Sequence, residues 1–239
     1  MYWCNNSQAA CGLALLIFCQ LASASSFSVS PTRITLTSAQ TAGVLTVRNP
    51  GTEEMVVQLQ PRAWRQEDGA DVLEPTADLI VVPPLFTVPA GGFQVVRIGL
   101  RRPPSPSDEL SYRLLLREVP PPRAEGATGL RMALNVSLPI FVMPPGDVNP
   151  ELIWALDRAA NGGLALSLRN EGRAHIQLKQ LALKPSSGTD LQVNGLPAYL
   201  LPGQSRIWHF DTAEPVGRWA LSADTDSGTV ETRLIIEPN

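Results

Sequence analysis

The sequence predicts an all-β protein, and three observations carry that prediction. Apolar and polar residues alternate over short runs, the period of a strand with one buried face. Those runs are punctuated by 22 prolines and 18 glycines in 239 residues, a density that suits many short elements joined by turns. No stretch shows a helical period of useful length. Taken in order, Phe27–Thr37 alternates as a first strand. Gly43–Asn49 is the second, closed by the turn sequence Asn49-Pro50-Gly51-Thr52. Glu54–Trp64 is the third, with Met55, Val57 and Leu59 on one parity. Leu79–Val82 is short and stops at Pro83-Pro84; Gly92–Leu100 follows. Tyr112–Val119 is halted by Pro120, Pro121 and Pro122, and a last strand runs from Leu130 to about Val142. Seven short strands at this spacing read as an immunoglobulin-like sandwich, without the cysteine pair and packing tryptophan of an antibody domain.

Pro144-Pro145-Gly146-Asp147-Val148-Asn149-Pro150 is short, stiff and proline-rich, the best boundary in the chain. A second β series follows it: Leu152–Asp157, Leu164–Asn170, His175–Leu183, Leu191–Val193, Gln204–Phe210, Arg218–Ala223 and Glu231–Ile236. The expectation is two immunoglobulin-like β-sandwich domains, residues 25–145 and 146–239, set in an L or boomerang with a cleft between them.

The last strand of the first half is the most informative segment. Leu130, Met132, Leu134, Val136, Leu138 and Ile140 alternate without a break, while Arg131, Ala133, Asn135 and Ser137 occupy the other parity. Strands ordinarily run to about 5–6 residues, and this one is roughly twice that. A sandwich does not need so long a strand for its own core, so the surplus apolar edge is free for another polypeptide. The Arg123–Gly129 loop before it and Pro139 within it both suit an edge strand, since proline cannot donate to a ladder.

Residues 1–24 read as a secretory signal: an apolar core over Gly12–Ala22 and an Ala22-Ser23-Ala24 cleavage site, but no Lys or Arg ahead of them. No other stretch is long and apolar enough to span a membrane. Cys4, Cys11 and Cys19, the three cysteines, all lie inside the leader. The mature chain thus has no disulfide, thiolate metal site or cysteine nucleophile. With 19 Lys+Arg against 22 Asp+Glu the net charge is −3, and no basic stripe points to nucleic acid. The lysines are Lys179 and Lys184 alone, so every lysine or arginine in the first half is an arginine, the side chain best shaped to grip a carboxylate.

Catalytic constellations are not visible. His175 and His209, the two histidines, lie on different expected strands without a paired carboxylate motif, and two ligands do not make a zinc site. Both read as ordinary strand residues. Asp226-Ser227-Gly228 reads as turn chemistry, Glu53-Glu54 and Glu67-Asp68 as solvated turn acids. Trp64, Trp154, Trp208 and Trp219 read as core or hinge packing. The chain is read as no enzyme, with no nucleotide, metal or other cofactor.

Several motifs carry a resemblance. Glu109…Tyr112…Leu116-Arg117-Glu118-Val119-Pro120, the Thr32-Arg33 pair, and Leu130–Leu134 followed by Leu138-Pro139-Ile140-Phe141-Val142 resemble the N-terminal domain of PapD-like periplasmic pilus-assembly chaperones of the chaperone–usher pathway. Residues 150–239 resemble the second domain more loosely, Leu200-Leu201-Pro202-Gly203 being the clearest echo. The resemblance implies donor-strand complementation: the chaperone lays its last strand into the groove of a pilus subunit that lacks one strand. Leu130, Met132 and Leu134 match the donor positions, and Val136 continues their parity. It further implies that Arg33 is the cleft arginine that anchors the subunit's C-terminal carboxylate, which fixes the register.

The chain departs from the family at two positions. Pro139 stands where the family has a second cleft cation, a lysine, and Met143 stands where an arginine joins an interdomain salt bridge. Arg113, on the preceding strand, is proposed as the substitute cation, with Arg117 of the same parity as the runner-up. These departures suggest a divergent archaic or spore-coat-type branch. The implied setting is the periplasm; the implied partners are pilus or fimbrial subunits and an outer-membrane usher, with self-association of the free protein left open. A two-domain structural or adhesive surface protein is the alternative.

Overall fold

The computed structural model describes residues 27–101, 107–121, 132–159, 162–186, 189–211 and 217–236. The leader and Leu130 lie outside the described residues, as does most of the loop before the last strand of the first half. The first half contains β1 (Ser28–Ser30), β2 (Ile34–Leu36), β3 (Ala42–Arg48), β4 (Met55–Glu67), β5 (Ala70–Pro75), β6 (Leu79–Val82), β7 (Leu85–Val88), β8 (Phe93–Leu100), β9 (Leu110–Val119) and β10 (Asn135–Val142). The second contains β11 (Leu152–Arg158), β12 (Leu164–Asn170), β13 (Ile176–Pro185), β14 (Leu191–Gln192), β15 (Ala198–Leu200), β16 (Ser205–Phe210), β17 (Gly217–Thr225) and β18 (Gly228–Ile236). Among the described residues every regular element is a strand.

Each half is a two-sheet sandwich. In the first, β1-β3-β8-β6 faces β2-β10-β9-β4-β5, with β7 paired to β4. In the second, β11-β12-β16 faces β14-β13-β17-β18, with β15 paired to β13. No ladder joins one half to the other among the described residues. The alternation decides the cores. Met55, Val57 and Leu59 of β4, Tyr112, Leu114 and Leu116 of β9, and Leu138, Ile140 and Val142 of β10 are buried in one cluster. Leu164, Leu166, Leu168, Ile176, Leu183 and Trp219 belong to the other. Burial on this scale, at about 25 cal/mol per Å², is what holds each sandwich.

Three expectations are corrected. Phe27–Thr37 is not one strand. β1 pairs antiparallel with β3 in one sheet, and β2 pairs parallel with β10 in the other. Pro31 has no N–H to extend the first ladder, and the chain changes sheets across Pro31-Thr32-Arg33. The ladder of the last strand begins at Asn135, and residues 132–134, expected within the strand, lie ahead of it. Ahead of it the Leu134 carbonyl still accepts from the Glu118 N–H at 2.9 Å, but the Leu134 N–H donates to the Glu118 carboxylate at 3.1 Å. A side chain has taken the place of the next backbone rung. Finally, β10 is an edge only in part: β9 pairs with all of it, and β2 flanks Ile140–Val142, so among the described residues the free side is Asn135–Pro139. Three ladder segments are absent from the sequence reading: β5 and β7, which flank β4, and β15, which pairs with β13. β5 returns through Asp68 and Gly69, both at positive φ (50° and 77°), the geometry of a tight hairpin.

The hinge is clamped rather than loose. The Glu171 N–H donates to the Glu151 carbonyl at 2.8 Å and the Arg173 N–H to the Asn149 carbonyl at 3.2 Å. Asn170, fully buried, receives the N–H groups of Glu151 and Gly172 on its Oδ1 and donates from Nδ2 to the Ala174 and Leu200 carbonyls.

Candidate functional site

Strand parity presents two different faces of β10, and the candidate site uses both. The first is the apolar parity. Along it burial rises steadily: Met132 is 70% exposed, Leu134 and Val136 are half-buried, Leu138 is 2% exposed, and Ile140 and Val142 are fully buried. Val136 already touches the core cluster. The same parity therefore fills its own sandwich at one end and leaves it at the other. The free backbone side of Asn135–Pro139 runs beside the half-exposed end.

The second face looks away from the core, toward the second half. Pro139 pairs with Arg113 on β9, and Arg113 pairs with Arg62 on β4. Because Ile34 lies beside Ile140, Arg33 enters β2 next to Pro139. Arg33, Pro139 and Arg113 thus form one row across three adjacent strands. Arg113 is the cation directly paired with Pro139 on the neighbouring strand.

Both arginines converge on Tyr199 of β15. The Arg33 guanidinium carbon is 5.7 Å from the Tyr199 ring centroid and that of Arg113 is 5.1 Å from it. Arg33 donates through Nη1 to Asp226 Oδ2 at 2.7 Å and through Nη2 to Gln177 Oε1 at 3.1 Å and the Tyr199 hydroxyl at 3.4 Å. Burial works against its charge, but the hydrogen bonds to Tyr199 and Asp226 outweigh it and raise its pKa. Arg113 is held differently. Its guanidinium lies 3.7 Å from the centroid of the Trp64 indole, and its nearest acid is Asp71 at 4.0 Å. Burial lowers its pKa, only partly offset by Asp71 and Tyr199; a guanidinium nonetheless stays cationic at any physiological pH. Arg117 lies farther along β9, exposed, opposite Asn135, away from this cluster.

The two halves meet around these groups. Trp64, Phe141 and Leu201 form a separate buried cluster, with Met143 and Tyr199 packed against it. Met143, the residue at the expected interdomain arginine position, contributes apolar contact instead. Gln66 reaches across the junction, donating to the Tyr199 carbonyl at 3.0 Å and accepting the Leu201 N–H at 3.1 Å. Its amide acts as a rung between the halves.

His175 is the largest correction to the sequence reading. His209 is an exposed residue on β16, but His175 is 10% exposed at the junction itself. Its ring stacks on Phe141, centroids 3.5 Å apart and planes within 10°. Nδ1 is 2.7 Å from Glu109 Oε2, and Nε2 is 3.7 Å from Asp226 Oδ2. The two acids lie 66 residues before it and 51 after it in the sequence, so no local motif announces them. Asp226 does sit in a turn, as read, yet its side chain also receives the Gln177 N–H at 2.8 Å.

Comparison with known proteins follows the same lines. Residues 26–147 match the family described as pili and flagellar-assembly chaperone, PapD N-terminal domain. No curated protein matches the sequence. Three solved structures share the fold over most of their length. One is the CsuC–CsuE chaperone–tip adhesion subunit pre-assembly complex from archaic chaperone–usher Csu pili of Acinetobacter baumannii, with 19% identity over 88% of this chain and 98% of that one and a TM-score of 0.69. Another is the Salmonella enterica SafA pilin in complex with the SafB chaperone, with 22% identity, 89% and 97% coverage and a TM-score of 0.64. The third is the E. coli chaperone DraB, with 23% identity, 90% and 99% coverage and a TM-score of 0.61. The chain belongs to the PapD-like family of pilus-assembly chaperones.

Proposed function

We propose that this chaperone binds pilus subunits in the periplasm by donor-strand complementation and delivers them to an outer-membrane usher. The observation that carries the reading is the burial gradient along β10 and the residues just before it. Met132, Leu134 and Val136 present apolar side chains beside a free strand edge, and Leu138, Ile140 and Val142 of the same parity lock the strand into its own core. A subunit groove that took up Met132, Leu134 and, beyond the described residues, Leu130 would gain about 1.5–3 kcal/mol for each side chain it buried fully. Backbone pairing along Asn135–Pro139 would supply affinity without sequence preference. Arg33 and Arg113, flanking Pro139, would take the subunit's terminal carboxylate; Arg33 already holds one in Asp226, so its fork is aimed and charged for that chemistry. The solved relatives that hold a tip subunit and a pilin support this assignment.

The test is co-purification with a subunit encoded beside the chaperone gene. Leu134→Asp places a charge in the groove and should eliminate one-to-one recovery of the subunit. It should shift the chaperone's own thermal midpoint little, since the side chain is only half-buried. Undiminished recovery would remove the donor-strand role.

A further inference from the structure

The pair His175 and Asp226 has no part in holding either core, yet it stands against the anchor arginine. Glu109 Oε2 is 2.7 Å from His175 Nδ1, and a carboxylate only accepts hydrogen bonds, so Nδ1 carries the proton of the neutral ring. Nε2 is then a bare lone pair. It is buried without a hydrogen-bond partner and faces another acceptor, Asp226 Oδ2, at 3.7 Å. Two acceptors opposed in this way leave the buried Nε2 unsatisfied, at a free-energy cost. Protonation of His175 turns Nε2 into a donor aimed at that oxygen. Asp226 is held through Oδ1 by the Gln177 N–H. A shift of Oδ2 by about 1 Å brings it within hydrogen-bond range of the ring, where the imidazolium competes with Arg33 Nη1 for the same oxygen.

We propose that His175 and Asp226 are positioning residues that gate the Arg33 anchor. With His175 neutral, Asp226 occupies the guanidinium as an internal stand-in for the subunit's carboxylate. With His175 protonated, Asp226 turns to the imidazolium and Arg33 is released to the subunit. The inference rests on the reading of Arg33 as the carboxylate anchor. The charged and titratable groups facing the ring are Glu109 before β9, Asp226 in the β17–β18 turn, Tyr199 on β15 at 5.8 Å between centroids, and Arg33 beyond Asp226; Phe141 on β10 covers one face, and Arg113 stands behind Tyr199. While the imidazole is neutral, Glu109 and Asp226 offset the Arg33 charge. Protonation adds one positive charge beside the anchor. Both effects have one sign: the anchor grips more tightly as pH falls, and by linkage the bound carboxylate favours the protonated ring.

The experiment uses the purified protein with a short apolar peptide bearing a free C-terminal carboxylate, and the same peptide as its C-terminal amide. Affinities are measured at about pH 8 and about pH 5.5, either side of the range in which imidazoles ordinarily titrate. The acid-to-amide preference should rise roughly fivefold at the lower pH, the lower end of ordinary coupling between two sites. It should not change with pH in His175→Gln. Side-chain NMR should show the Arg33 Nε–H resonance shifting between the two pH values in the unmodified protein and much less in Asp226→Asn, which keeps the ring but removes the carboxylate that the gate moves. Should His175→Gln fail to fold, Asp226→Asn serves: with the internal competitor uncharged, the preference should be high at both pH values. A preference for the acid that is equal at both pH values overturns the gate and leaves the anchor standing. Equal binding of acid and amide at both pH values removes the anchor, and the gate with it.

Discussion

Arg113 is held by stacking on an indole more than by ion pairing, and this sets what can replace it. Lysine keeps the charge but loses the planar fork and the flat contact with Trp64. Cation–π contact is worth about 0.5–2 kcal/mol according to its burial. Arg113→Lys should therefore weaken subunit capture about tenfold, which corresponds to about 1.4 kcal/mol, with the chaperone still folded. Subunit titration of the variant followed by tryptophan fluorescence measures it, and an unchanged affinity would assign the second anchor elsewhere. Arg33 differs because its fork already carries a carboxylate at 2.7 Å. The two cations thus differ in their surroundings: Arg33 is paired with an acid, and Arg113 lies against an aromatic face.

At the scale of elements, β10 is secured at its C-terminal end. β10 is flanked by β9 and β2 at Ile140–Val142 and leads directly into the clamped hinge. Gly172 makes that clamp possible. A Cβ there would sit 2.3 Å from the Asn149 carbonyl oxygen, 2.4 Å from the Glu151 nitrogen and 2.7 Å from the Pro150 carbonyl carbon. These are backbone atoms, which cannot swing aside as a flexible side chain does. Gly172→Ala should cost about 1–3 kcal/mol, the usual range for overpacking, read as a lower urea midpoint with an unchanged slope. A neutral result would show that the hinge gives way easily.

On the scale of the whole molecule, the halves are joined by a small apolar cluster of their own plus polar rungs. Phe141 is its centre. It is fully buried, stacked on His175, and lies 6.0 Å from Trp64 and 5.9 Å from Tyr199 between ring centroids. It points away from the first core, so truncating it should loosen the junction more than the sandwich. Phe141→Ala should lose about 3–5 kcal/mol of packing. Calorimetry should then resolve a single unfolding transition into two, one for each half. A single transition merely displaced to lower temperature would show that the side chain belongs to the first core.

Alternation and proline placement determined the all-β class, most of the strands that form the two cores, and the parity of Met132, Leu134 and Val136, because strand period is a local property of the chain. The Thr32-Arg33 and Glu109…Pro120 motifs likewise drew attention to Arg33 and to β9. Which residues become neighbours across the junction is not local. Pro31 could be read as a breaker, but which sheet each fragment of the first strand joins depends on partners at Arg48 and Val142. Where β10 stops being an edge depends on β2, and the role of His175 depends on two carboxylates distant in sequence from it and from each other. Only folding brings Arg33, Arg113, His175 and Asp226 around Tyr199, because a charged cluster built from four separate segments has no spacing for a sequence to display.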